Sequence, residues 1–189
     1  MTLTALLALV TVLASPATVV KHYAPFEAGR LATGLTVRAR ASGYCWTGSA
    51  TAYPRRDAWR CFKGRNVIVD PCFSASGTSV GPGFVICPDH AWDRGVLELG
   101  LTKALPREAA NPGGPRRRAW AIVATNGLHC ERLEGALPQI HGKPLTFACD
   151  RRGSMATEPS TRKSVWTTYY VRSQLSTRLR LLLITKAWW

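Results

Sequence analysis

The most reactive side chains in this sequence belong to six cysteines and four histidines. Cys45, Cys61, Cys72, Cys87, Cys130 and Cys149 are even in number, and no two form the Cys-x2-Cys step that brings a pair of thiolates onto one tight turn. That spacing points away from structural zinc, and no metal or cofactor is expected. In an oxidising compartment six thiols read as three disulfides, with fifteen formal connectivities. Pairing of neighbours is the expectation: Cys45–Cys61, Cys72–Cys87 and Cys130–Cys149. Each crosslink closes a loop worth about 3 kcal/mol in the chain-entropy picture.

Catalytic chemistry has little to stand on. The Cys45-Trp46 pair is similar to the pair at the nucleophile of papain-like proteases, but Ser42-Gly43-Tyr44 lacks that family's local signature and an even cysteine count favours pairing. The histidines are His22, His90, His129 and His141; His129 and His141 flank one hairpin and are placed to meet in space. There is no Gly-x-Ser-x-Gly elbow, no His-Glu-x-x-His, no phosphate-binding glycine loop and no dinucleotide fingerprint. Asp57, Asp70, Asp89, Asp93 and Asp150 are available for sugar hydrolysis, yet nothing in their spacing selects two. Asp70, in Asp-Pro-Cys-Phe, reads as a residue that holds a turn through its own backbone. No catalytic residue is assigned.

Charge is the stronger pointer. Lys plus Arg number 25 against 11 Asp plus Glu, a net +14, and nineteen of the cations are arginine. A charge of this size favours polyanions such as wall polymers or acidic lipid surfaces, with no specific nucleic-acid signature. The dense clusters are Arg55, Arg56, Arg60, Lys63 and Arg65, then Arg116, Arg117 and Arg118. The first lies among Tyr53, Trp59 and Phe62, a mixture of cations and rings suited to flat or phosphate-bearing ligands. The expected binding set is therefore Arg55, Arg56, Trp59, Arg60, Lys63, Arg65 and Arg116 to Arg118. Seven tryptophans are many for 189 residues. Core packing is the expectation for Trp46 and Trp120, and an exposed Trp188-Trp189 end suggests a surface contact.

The elements that carry these residues read as strands. Leu35, Val37 and Ala39 alternate with Thr36, Arg38 and Arg40, and Leu97, Leu99 and Leu101 alternate with Glu98, Gly100 and Thr102. Val67-Ile68-Val69 is a β-branched run stopped by Asp70-Pro71, and Phe84-Val85-Ile86 is one stopped by Pro88. Asn126-Gly127 between 119–125 and 128–133 signals a hairpin. Counting outward from a two-residue turn sets Val123 beside Cys130, on one face with Ala121. Residues 144–149 and 165–171 read as strands; 178–186 reads as a strand or a short helix. Pro106 to Arg118 and Asp150 to Lys163 read as loops. Leu3 to Ala14 is an apolar run with a small-residue end, too short to span a bilayer. The expected organisation is a signal peptide over 1–14, a leader over 15–34, and one small mainly β, disulfide-stabilised antiparallel domain, barrel or sandwich, over 35–189.

Cys45-Trp46-Thr47-Gly48-Ser49, Asp57-Ala58-Trp59-Arg60-Cys61, Asp70-Pro71-Cys72-Phe73 and Cys87-Pro88, followed by Cys130 and Cys149, occur in that order. The set resembles a group of exported bacterial proteins to which no activity is assigned, over about Leu35 to Cys149. The resemblance implies secretion and disulfides and no activity. The expected function is that of a secreted binding protein at the cell envelope. The alternatives are an envelope hydrolase assembled only by the fold, or a protease inhibitor presenting Ser74 to Gly83.

Overall fold

The computed structural model describes residues 16–75, 83–107, 110–113, 118–151, 153–173, 175–176 and 178–189. The expected signal peptide, Arg116, Arg117 and most of the Ser74–Gly83 loop lie outside the described residues. Described regular structure is β almost throughout, as the alternating patterns require, and the strands are laid out as two closed barrels. Among the described residues no helix is long and apolar enough to cross a membrane.

Three short strands come first: β1 (Val19–Lys21), β2 (Phe26–Glu27) and β3 (Arg30–Leu31). The first barrel contains β4 (Thr36–Gly48), β5 (Ala58–Lys63), β6 (Val67–Phe73), β7 (Phe84–Pro88) and β8 (Gly95–Leu101). Successive strands pair antiparallel, and a parallel β4–β8 pairing, Thr36 opposite Gly95 to Gly43 opposite Leu101, closes the ring. Its interior is filled by Trp59, Val85, Leu97, Leu99 and Leu101 around four half-cystines. The Leu97–Leu99–Leu101 face points inward, as its period of two predicts.

The second barrel contains β9 (Ala121–Ala124), β10 (His129–Arg132), β12 (Lys143–Cys149), β13 (Ser154–Ser160), β14 (Trp166–Val171) and β15 (Arg180–Trp188); the two-residue β11 (Gln139–Ile140) folds onto β12. Antiparallel pairing of β15 with β9 closes this ring. Leading residues of β15 pair with β14, and Lys186 to Trp188 pair instead with β1 on that edge. The stretch read as a leader thus supplies a sheet strand, since β14 stops before β15 does. A third apolar cluster, with Tyr23, Phe73, Trp120 and Trp188, joins the two barrels.

The disulfides pair as expected, Cys45–Cys61, Cys72–Cys87 and Cys130–Cys149, with Cα separations of 3.8, 4.1 and 4.0 Å. Cys45 faces Cys61 and Cys130 faces Cys149 directly across neighbouring strands.

Three local expectations are corrected. The β9–β10 register is one residue off: Cys130 faces Ile122, and His129 faces Val123. Gly127, at φ 75°, closes a three-residue loop over Thr125 to Gly127, with the Gly127 amide donating to Ala124 O and the Ala124 amide to Leu128 O. A loop of three residues instead of two moves every partner by one and turns Cys130 onto the face of Ile122. Strand β6 runs on through Asp70-Pro71 because the β5–β6 ladder bulges there, so a residue without an N–H leaves no donor missing. Ser154–Ser160 is a strand inside the stretch read as a loop; of the two readings of 178–186, strand and short helix, the structure shows the strand, Arg180–Trp188.

Candidate functional site

The described members of the expected binding set converge only in part. Trp59 is fully buried, its indole N–H donating to Ser74 Oγ at 3.1 Å, so its ring is core and meets no ligand. Arg55 is spent on the protein itself. Its guanidinium donates to both Asp57 carboxylate oxygens and to the carbonyls of Tyr23 and Trp189, and lies 4.5 Å from the Phe73 ring centre. Arg60 lies 3.9 Å from Asp70 and over the Trp46 ring. Lys63 and Arg65 stand exposed at the far end of β5 from Arg55 and Arg56, roughly 20 Å along a six-residue strand. Arg55, Arg56 and Arg118 do share one cavity, taken up below. Trp188 is buried in the inter-barrel cluster and Trp189 stacks on His22 with centroids 4.2 Å apart, which removes the reading of both as an exposed end.

Asp70 holds a turn, though not its own. It accepts from Ser49 Oγ and, at 3.2 Å, from the Ala50 amide, while Ser49 Oγ accepts from the Ala52 amide at 2.8 Å. Burial pushes its carboxyl above the usual range, and those hydrogen bonds together with the Arg60 charge offset that only in part.

Histidine and carboxylate do come together at the barrel junction. The β7–β8 connection brings His90 within 2.9 Å of Glu131 on β10, and places Trp92 between His90 and His129, with centroids 5.0 and 4.6 Å away. His129 in turn sits 3.1 Å from Asp150. His141 is far from this group, in the turn at the opposite end of the seven-residue β12, so the two hairpin histidines do not meet. Burial raises the Glu131 carboxyl against the pull of His90, and Asp89 and Asp93 add to the rise. Asp150 is held low because the His129 hydrogen bonds and the Arg151 charge outweigh its slight desolvation. The cavity beside Glu131, Asp70 and Asp89 measures about 60 Å³. That is room for roughly two waters at about 30 Å³ each, against several hundred Å³ for a substrate cleft. Cys45 is disulfide-bonded and offers no nucleophile. Among the described residues no three His, Cys, Asp or Glu side chains are arranged to hold a metal ion.

The site with the most distinct chemistry lies at one end of the second barrel. A cavity of about 430 Å³ is lined by Arg151, Arg172, Arg178 and Arg180, with Asn126, Ser176 and Tyr170. Three turns build it. Asn126 comes from the β9–β10 loop and Arg151 from the β12–β13 turn. Arg172, Ser176 and Arg178 come from the β14–β15 connection, and Arg180 opens β15. The lining contains no acid, and the neighbouring Asp150 is turned to His129. Among the described residues none of the four guanidinium groups has an ion pair or side-chain hydrogen bond. Like charges gathered on low-dielectric walls raise a positive potential that only an anion relieves. The planar forks of arginine suit carboxylate, sulfate or phosphate oxygens. Sequence clustering missed these residues because they are spread over thirty positions and meet only where the β12–β13 and β14–β15 connections reach the same end of the sheet. A scan for arginines in predicted turns at one end of the strands is the signal that finds them.

No family model, curated protein or solved structure matches this chain.

Proposed function

We propose that this protein is a secreted, non-catalytic binding protein of the cell envelope that holds an anionic polymer in the arginine cavity of its second barrel. The carrying observation is the convergence of Arg151, Arg172, Arg178 and Arg180 in a space lined by no acid. The net charge of +14 adds long-range attraction, and the three disulfides fit an oxidising exterior. A concave site favours a polymer chain that enters it over a flat lipid surface, which would meet only its rim.

The test is salt-dependent retention on soluble and resin-bound polyphosphate and polyuronate. The wild-type chain binds at low ionic strength and elutes as salt screens the arginines. The Arg172→Gln, Arg178→Gln, Arg180→Gln variant elutes earlier and binds roughly ten- to a hundredfold more weakly, since each solvent-facing charge contributes about 0.5–1 kcal/mol. A control variant, Arg30→Gln, Arg94→Gln, Arg162→Gln, removes equal charge from exposed sites outside the cavity and stays close to wild type. Equal shifts in the two variants, or binding to acidic vesicles without binding to polymer, overturn the proposal.

A further inference from the structure

A second cavity, of about 470 Å³, lies between the connection that follows β4 on one side and Gly113 and Arg118 on the other. Its volume falls in the usual range of small-molecule sites, roughly 300–1,000 Å³. Tyr53, 42% exposed, and the neighbouring Pro54 and Ala52 give it an apolar wall, and Trp189 closes one side. Arg55 and Asp57 neutralise each other in the floor. Arg56 is different: its Nε donates to the Pro112 carbonyl at 2.9 Å, which fixes the side chain while leaving both terminal nitrogens to face a ligand. Arg118 adds a second exposed guanidinium. The wall thus combines a ring face with Arg56, while Arg118 shares its charge with Glu134 and Glu158 on its other side.

We propose that this cavity is a carbohydrate site for an acidic sugar, a hexuronate unit within a glycan chain. The C–H face of a pyranose packs on the Tyr53 ring, and its carboxylate, with two coplanar oxygens, meets the terminal nitrogens of Arg56 as a two-pronged acceptor. A neutral sugar leaves the Arg56 charge unmatched. Trp189 follows β15 and Arg180 begins it, so this site and the four-arginine cavity lie at opposite ends of a nine-residue strand, about 30 Å apart. One long chain of such sugars reaches both sites, and the second contact then forms at high effective concentration. Only that last point rests on the function proposed above; the sugar site stands on its own residues.

The experiment titrates the oxidised full chain with trigalacturonate and, separately, with the uncharged cellotriose, reading heat and intrinsic tryptophan fluorescence. Trigalacturonate binds, and cellotriose binds at least tenfold more weakly. Arg56→Gln weakens trigalacturonate binding roughly tenfold, the size of one lost charge-assisted contact. Tyr53→Ala weakens both sugars. In the Arg172→Gln, Arg178→Gln, Arg180→Gln background, where the polymer cavity is disabled, trigalacturonate still binds and Arg56→Gln still weakens it, which separates failure of this site from failure of the polymer cavity. Tyr53 and Arg56 are exposed, so both substitutions leave the core intact. Equal binding of the two sugars, no binding of trigalacturonate, or wild-type affinity in Arg56→Gln overturns the proposal.

Discussion

Replacing Asp70 with alanine removes the acceptor that two loop donors share. Ser49 Oγ is fully buried and donates to this carboxylate, and the Ala50 amide donates to its other oxygen at 3.2 Å. Each buried donor left without a partner costs about 1–3 kcal/mol. Against that loss stands the relief of desolvating a carboxylate whose side chain is only 7% exposed. The upward shift of its pKa shows that desolvation outweighs the hydrogen bonds and Arg60 together. A net loss of about 2 kcal/mol at pH 7 is expected, and Asp70→Asn, which keeps a carbonyl acceptor for Ser49, loses about half as much. The sign with pH follows from linkage. With rising pH the unfolded carboxyl ionises first, near 3.9, while the folded one still holds its proton, so the wild type loses stability over the window just above that value. The alanine variant lacks this loss, and the cost of the substitution is therefore larger at pH 3 than at pH 7. Urea unfolding at both pH values, compared at equal slope, measures it. A cost below about 0.5 kcal/mol at both values, or one that grows from pH 3 to pH 7, refutes the reasoning.

Two further outcomes are expected. Removing the Cys130–Cys149 crosslink with a double alanine variant opens a 19-residue loop and lowers stability by about 3 kcal/mol, read as a melting temperature roughly 6–12 °C lower. Glu158 faces a desolvation that alone raises its pKa, but both its oxygens accept from Arg132, at 2.6 and 2.7 Å, and the carboxyl is held low. Its contribution is thus present above pH 4.5 and is lost as pH falls through the lowered value; acid titration of Glu158→Gln followed by circular dichroism shows a shallower loss than wild type.

Some of this molecule is legible along the chain and some only in space. Leu97, Leu99 and Leu101 announce an inward face because a strand's period is two whatever it pairs with. The cystine pairs follow from spacing because each crosslink joins neighbouring strands of one sheet that are adjacent in sequence or, for Cys130–Cys149, separated only by the two-residue β11. Strand β13 escapes because only Met155 and Ala156 of its seven residues are buried, too few to register as alternation in a polar, proline-bearing stretch. The β9–β10 register escapes because Asn-Gly serves a two-residue turn and the last part of a three-residue one equally well. At the binding sites, linear density misleads. Arg55 is locked into structure and Trp59 into the core, while the arginines that converge come from two separate turns and the start of β15.

Every cystine joins two strands of the same barrel, and none ties one barrel to the other. Among the described residues the halves meet through Tyr23, Phe73, Trp120 and Trp188, the His90–Glu131 pair and the Arg55 hydrogen bond to the Trp189 carbonyl. A mild reductant loosens each half from within while leaving their seam to solvent-sensitive forces. On the proposed reading, a polymer held by Tyr53 and Arg56 of the first barrel and by the arginines of the second pulls directly across that seam.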